Sequence, residues 1–235
     1  QGSGKSTLSK LIKIVIEKIS NRKIMLLSID DYYLDKDSRY QLSKKIHPLL
    51  LTRGVPGTHD TKKLKDHILQ FIKKQFPILT PTFSKLSDNI SKKTKIIKNA
   101  DILILEGWLC GAKPVEKKYL HQNINCLEKK LDKKLIWRNY YNLKLKMEYK
   151  KIFSMFDKKI FIQPPSFNNV LKWRYAQEKE NARKKNKKNF MSIEKTKNFI
   201  QYYEKLTKWM IKTMPDEADM VVKIDKDQRI KKIII

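Results

Sequence analysis

Apolar positions along this chain follow two rhythms. Leu8, Leu11, Ile12, Val15, Ile16 and Ile19 recur at helical spacing and predict an amphipathic helix with that face on the core, ending near Ser20-Asn21. Residues 23–29, KIMLLSI, form a short continuous apolar run, as expected of a buried parallel strand. The alternation continues. Leu64, Ile68, Phe71 and Ile72 predict a helix after Asp60, and residues 101–106, DILILE, predict a second buried strand. Residues 115–157 mix lysines with Leu127, Leu131, Leu135, Trp137, Tyr140, Tyr141, Leu145 and Tyr149, which predict helices whose aromatics pack a core. Residues 160–162 before Pro164-Pro165 read as a short strand, and 166–188 as a helix that turns from apolar to basic. Ser192 caps the next helix, with Phe199, Ile200, Tyr203, Leu206 and Met210 on one face, and 219–224 and 230–235 read as closing strands. Strands alternating with helices predict an α/β fold with a mostly parallel sheet between helical layers.

At 235 residues the chain is one domain or two small ones. Neither an internal repeat nor a linker is visible, so a single domain over 1–235 is expected. No apolar run nears the roughly 18–20 residues that span a bilayer. The two cysteines, Cys110 and Cys126, give neither a disulfide framework nor zinc spacing and are expected as plain thiols. His47, His67 and His121 are expected at the surface or an interface.

The formal charge is +29. Only seven of the 53 cationic residues are Arg, at 22, 39, 53, 138, 174, 183 and 229, and Lys supplies the other 46. Ile (28) and Asn (13) are also numerous, and Lys, Ile and Asn share AT-rich codons. The lysines run from one end of the chain to the other, whereas a nucleic-acid footprint favours Arg and one basic face. Most of the charge therefore reads as a solvated lysine surface.

The chain opens Gln1-Gly2-Ser3-Gly4-Lys5-Ser6-Thr7, the second half of the phosphate-binding pattern G-x-x-x-x-G-K-[ST]. Glycines let the backbone turn its N–H groups onto phosphate oxygens, and the helix that starts near Lys5 adds its N-terminus. Lys5 can reach the β- and γ-phosphates, Ser6 can ligate Mg²⁺, and Thr7 supports the α-phosphate side. The first Gly of the pattern and its feeding strand would precede Gln1. The expectation is thus a P-loop sandwich that lacks its first strand and binds ATP poorly as it stands.

Ligands of open α/β sheets bind beyond the carboxyl ends of strands. Asp30, which follows the first apolar run, is placed to accept a proton from an attacking hydroxyl or to hold Mg²⁺ through water. Asp31 beside it is either a supporting group or a cap. Glu106, ending four apolar residues, is a Walker-B-like carboxylate for Mg²⁺. Between them, two glycines and a proline shape the loop Arg53-Gly54-Val55-Pro56-Gly57-Thr58-His59-Asp60. Arg53 offers a planar fork for a carboxylate or phosphate, His59 and Asp60 can bind hydroxyls, and Asp60 can also cap the helix after it.

Residues 30–34 (DDYYL), 53–60 (RGVPGTHD) and 105–108 (LEGW) resemble the D-glycerate 3-kinase family of plants, fungi and cyanobacteria, a branch of the P-loop kinases with uridine, phosphoribulo- and pantothenate kinases. The resemblance runs from Gln1 to about Asp225. It implies transfer of the ATP γ-phosphoryl group to a hydroxyl of a small acceptor, D-glycerate first, with Asp30 as base. It also implies that 166–190 is a lid bringing Arg174 and Arg183 to the nucleotide. Gly2, Ser3, Gly4, Lys5, Ser6, Thr7 and Arg183 would hold Mg²⁺–ATP. Asp31, Tyr32, Arg53, His59, Asp60, Lys85, Glu106 and Trp108 would line the acceptor side. Where relatives carry aromatic-Asp-Lys, this chain has Phe83-Ser84-Lys85, which bears on the acceptor more than on the reaction. The alternatives are a uridine- or pantothenate-type kinase, with Trp108 and Tyr32 as an aromatic slot, or an ATP-regulated nucleic-acid-binding protein. A cytoplasmic location is expected, or an organelle if a preceding segment carries a transit peptide.

Overall fold

The computed structural model describes residues 2–184 and 192–235. In chain order the elements begin with α1 (Lys5–Ser20), β1 (Ile24–Ser28), α2 (Lys36–Lys45), α3 (Thr61–Ile72), β2 (Ile78–Thr80) and β3 (Phe83–Ser84). They continue with β4 (Asn89–Ile90), β5 (Lys95–Ile97), β6 (Ile102–Glu106), α4 (Lys117–His121), α5 (Cys126–Leu131) and α6 (Ile136–Lys144). Last come α7 (Lys150–Phe153), β7 (Ile160–Gln163), α8 (Phe167–Lys184), α9 (Ile193–Thr213), β8 (Met220–Ile224) and β9 (Ile230–Ile234). The elements form two compact units.

One unit comprises residues 5–110 and 135–155. Its β1 and β6 pair in parallel, from Ile24 opposite Ile102 to Ser28 opposite Glu106, so both strands end at the same level. Helix α1 lies against them. Lys13 donates to the Ile24 carbonyl at 2.7 Å and Glu17 accepts from the Ile24 N–H at 3.0 Å, pinning the start of β1 to the helix. The α1 face corrects the sequence reading. Leu8, Ile12 and Ile16 are half-buried, but Leu11, Val15 and Ile19 are exposed. Periodicity identifies an apolar stripe, whereas the two-stranded surface beneath covers only one side of it.

Asp35 caps α2 by accepting from Ser38 N–H, and Asp60 caps α3 by accepting from Lys63 N–H. Leu64 and Ile68 of α3 are buried, while Ile72 is exposed. Residues 136–153 run through α6, a π-helical turn at Leu145–Tyr149 and α7, and they bury Trp137, Tyr141, Leu145, Tyr149 and Ile152. The expected aromatic packing is therefore present there. His67 is also buried rather than at the surface, with its Nδ1 2.8 Å from the Tyr32 hydroxyl.

The other unit comprises residues 1–4, 111–134 and 156–235. Here β7 and β8 are parallel, and β9 returns antiparallel to β8. Helices α8 and α9 pack on one another, with Phe167, Val170 and Ile200 in one cluster, while Trp173 packs with Val222 and Ile224. Ser192 caps α9, whose Ile200, Tyr203, Leu206 and Met210 are buried. Leu131, expected in a core, is exposed. The buried Lys205 pairs with Glu128 at 3.4 Å and donates to the carbonyls of Tyr119 and Gln122. Buried charge persists only with such compensation. Cys110 and Cys126 are free thiols, and no helix among the described residues is long and apolar enough to cross a membrane.

Candidate active site

The shared end of β1 and β6 gathers the charged residues. Past Ser28, a 3-10 turn at Ile29–Tyr32 lifts Asp30 and Asp31 off the strand. The Tyr33 hydroxyl donates to Asp30 Oδ1 at 2.7 Å and Lys85 Nζ donates to Oδ2 at 2.9 Å. Burial pushes the Asp30 carboxyl upward, but Lys85, the Tyr33 bond and His59 outweigh it and hold the group below the usual carboxylate range. Asp30 is an anion at neutral pH, able to receive a proton.

Glu106 ends β6 opposite Ser28 and accepts from the Ser6 hydroxyl at 3.0 Å. Lys5 begins α1. Burial lowers its pKa, while the charges of Glu106 and Asp30 oppose that fall. The Cys110 thiol lies within the same field, and burial, then Glu106 and Asp30, push it well up, so it stays protonated. The sequence-predicted Lys5, Ser6, Asp30, Lys85 and Glu106 are thus brought together, whereas Thr7 is exposed on the first turn of α1. Trp108 is half-buried just beyond β6.

Residues 53–60 form the second wall. Gly57 has φ +92°, and a Cβ there would stand 2.6 Å from the Tyr140 ring, so the turn admits only glycine without displacement. Its N–H donates to the Tyr149 hydroxyl at 3.0 Å, and the same hydroxyl lies 2.7 Å from His59 Nδ1. Burial drives the His59 pKa down to about 4, so the ring is neutral. With the Tyr149 hydroxyl donating to Nδ1, the neutral ring would carry its proton on Nε2. His59 also packs on the Tyr33 ring, 4.7 Å between centroids. Asp60 Oδ1 is engaged as the α3 cap at 2.9 Å. Tyr32 is buried with its hydroxyl on His67, which leaves Tyr33 as the aromatic beside Asp30.

A hairpin closes the third side. Asp31 Oδ1 accepts from Phe83 N–H at 3.0 Å and its Oδ2 pairs with Lys95 at 3.2 Å, so Asp31 fastens β3 and β5 to the Asp30 turn. Arg53 lies over the rings of Tyr33 and Phe83, at 5.9 and 5.6 Å, and donates to Asp88. The buried Arg39 holds the other oxygen of Asp88 at 2.9 Å and donates to the carbonyls of Leu34, Leu51 and Asp88. Sequence reasoning missed Asp88, Arg39 and Tyr149. Only the scarcity of Arg in so lysine-rich a chain could have drawn notice to Arg39.

Gly2, Ser3 and Gly4 belong to the unit that carries Arg174 and Arg183. Gly4 has φ +82° with open space where a Cβ would be, as a phosphate-cradling turn requires. The Gly2 carbonyl accepts from Gln228 at 2.6 Å. Arg174 is paired with Glu178 and Gln177 on its own helix and lies over the Phe199 ring. Arg183 is exposed near the end of α8. The expected lid residues Lys185, Lys187 and Lys188 lie outside the described residues.

No family profile matches the chain. Comparison with curated proteins is more decisive. The chain is 31% identical over 224 residues to "Probable ATP-dependent kinase TDA10" of Saccharomyces cerevisiae, covering 86% of this chain and 72% of that protein. It is 26% identical over 250 residues to "D-glycerate 3-kinase, chloroplastic" of Arabidopsis thaliana, covering 97% of this chain and 51% of that one. The chain belongs to the D-glycerate 3-kinase family of P-loop kinases. The solved structure entitled "Structure of YGR205w protein" matches all of this chain and 86% of its own, with a TM-score of 0.78 and 28% identity. The curated relatives of this chain are kinases, and the chain is an ATP-dependent phosphotransferase.

Proposed function

We propose that the chain transfers the γ-phosphoryl group of ATP to a hydroxyl of a small hydroxy acid, D-glycerate first. The observation that carries this reading is the ionised Asp30, braced by Lys85 and Tyr33 in the same unit as Lys5 and the Ser6–Glu106 contact. The acceptor oxygen attacks the γ-phosphorus, its proton passes to Asp30, the bond to the β–γ bridging oxygen breaks, and ADP leaves. Lys5 neutralises charge on the β- and γ-phosphates, and residues 2–7 supply the backbone cradle. Ser6 and Glu106 present hard oxygen donors 3.0 Å apart, a donor set that fits Mg²⁺. When bound, the ion neutralises charge building on the phosphate oxygens. Arg53, with its fork set over two rings, is the group for the acceptor's carboxylate, and His59 Nε2–H is a donor for an acceptor hydroxyl. Arg174 and Arg183, both on α8, are the further cations for the nucleotide. The site lies in the cytoplasm or an organelle lumen.

The test is the full chain with ATP, Mg²⁺ and a panel of D-glycerate, uridine and pantothenate, read as ADP release. Release above background with D-glycerate alone supports the reading. Turnover confined to uridine or pantothenate replaces the acceptor, and background rates with all three reject it.

A further inference from the structure

The turn between β3 and β4, residues 85–88, carries two opposite charges at its ends. Lys85 is on the Asp30 carboxylate and Asp88 is on the Arg53 guanidinium. Under the proposed function, Asp30 faces the acceptor's hydroxyl and Arg53 faces its carboxylate. One turn therefore places a cation on the base and a carboxylate on the anion binder, the two groups that an ionised hydroxy acid would meet.

Asp88 is also held from behind. Arg39, 1% exposed, engages Oδ2 and the main-chain carbonyl of Asp88 through Nη2, while Nε and Nη1 donate to Leu34 and Leu51. Asp88 adopts φ +53°, a left-handed conformation that an aspartate tolerates better than most residues. Two arginines thus share one carboxylate. If Arg53 turns to another anion, Asp88 keeps its pair with Arg39 and is not stranded. That asymmetry makes exchange at Arg53 feasible, since leaving a carboxylate without a partner would oppose it.

We propose that Asp88 is a specificity-determining residue: a resident carboxylate on Arg53 that the acceptor's carboxylate displaces, so that only an acidic acceptor gains the guanidinium. This rests on the assignment of Arg53 to the acceptor. A neutral alcohol cannot displace a carboxylate from a guanidinium, because a charge-assisted pair exceeds a neutral hydrogen bond. An acid of similar basicity exchanges at little net cost and gains the neighbouring contacts as well.

The experiment is steady-state kinetics with D-glycerate on the wild type, Asp88→Asn and Arg53→Ala, with KM for ATP as the internal control. Asp88→Asn keeps an acceptor for Arg39 but removes the competing charge. The KM for D-glycerate should fall about five-fold while KM for ATP stays put, and Arg53→Ala should raise KM for D-glycerate at least ten-fold. If Arg53→Ala raises it but Asp88→Asn leaves it unchanged or raises it, Asp88 merely orients Arg53 and the proposal is overturned, with the acceptor assignment intact. If Arg53→Ala changes nothing, or the wild type does not use D-glycerate, the assignment itself falls and takes the proposal with it. Should Asp88→Asn fold poorly, hydrogen exchange on the wild type decides. Amides of residues 87–89 should exchange faster when D-glycerate is added, and unchanged or slower exchange overturns the displacement.

Discussion

The Ser6 hydroxyl on the first turn of α1 donates to the Glu106 carboxylate at the end of β6, 3.0 Å away and 100 residues distant in sequence. The contact ties Ser6 at the start of α1 to the end of β6 within one unit. Loss of the carboxylate should act on metal use before anything else. Glu106→Gln is expected to raise the Mg²⁺ concentration needed for half-maximal turnover by roughly 10–100-fold. Titration of ADP release with Mg²⁺ at saturating ATP measures it. An unchanged Mg²⁺ requirement would remove Glu106 from the ion's surroundings.

Asp30 as base predicts a loss confined to chemistry. Asp30→Asn should lower kcat by roughly 10²–10⁴-fold. ATP affinity, followed by calorimetry, should change little, since Lys5 and the loop remain. Turnover within a few-fold of the wild type would reject the assignment.

The pH profile follows from what surrounds that carboxylate. Asp30 must be ionised to accept a proton, and its pKa lies below the usual range. The acid limb of kcat/KM should therefore sit lower than an ordinary carboxylate would give. Lys85→Met removes the largest favourable charge and leaves burial, Tyr33, His59 and Lys5 around the group. The acid limb should then move upward in pH. A limb that stays in place would mean that another group governs it.

His59 couples folding to pH. Its pKa falls from 6.5 to about 4 on burial, so the unfolded chain binds the proton more readily. The stabilisation is present above the unfolded value and is lost as pH falls from 6.5 towards 4. Between pH 7 and pH 5 the loss should be about 2 kcal/mol, since one pKa unit is worth about 1.4 kcal/mol. Urea unfolding at the two pH values measures it, and His59→Gln should flatten the difference. An equally steep loss in the variant would assign the effect elsewhere.

Gly57 holds the acceptor loop through its conformation. Gly57→Ala meets both the left-handed penalty and the Tyr140 ring, and about 2–4 kcal/mol of stability should be lost. A lower urea midpoint would come with a raised KM for the acceptor, because the Gly57–Tyr149 bond aligns His59. A midpoint equal to that of the wild type would show that the loop yields without cost.

The strands, the phosphate motif and the two strand-end carboxylates were legible because each is a local pattern. An apolar run closed by Asp30 or Glu106 needs no distant partner to be read. The width of the surface under α1 was not local, so Leu11, Val15 and Ile19 were assigned to a core that covers only their neighbours. The placing of Asp88 on Arg53 spans 35 residues and depends on a left-handed turn that no period announces. Tyr149 read as packing and does pack, yet its hydroxyl also spans 92 residues to Gly57. Its second task is invisible in a stretch whose aromatics all read as helix packing. The family followed from motifs within residues 1–108, whereas the acceptor side is built by contacts between segments.

Arg39 is a cation whose place depends on the shape of a guanidinium. Its Nε, Nη1 and Nη2 address three different carbonyls in three directions, at 3.1, 2.8 and 2.7 Å. An ammonium carries all its donors on one atom and cannot serve Leu34, Leu51 and Asp88 at once. Arg39→Lys would keep the charge here but lose the three-way contact. In so lysine-rich a chain, Arg39 is a cation held by the geometry of its donors as well as by its charge.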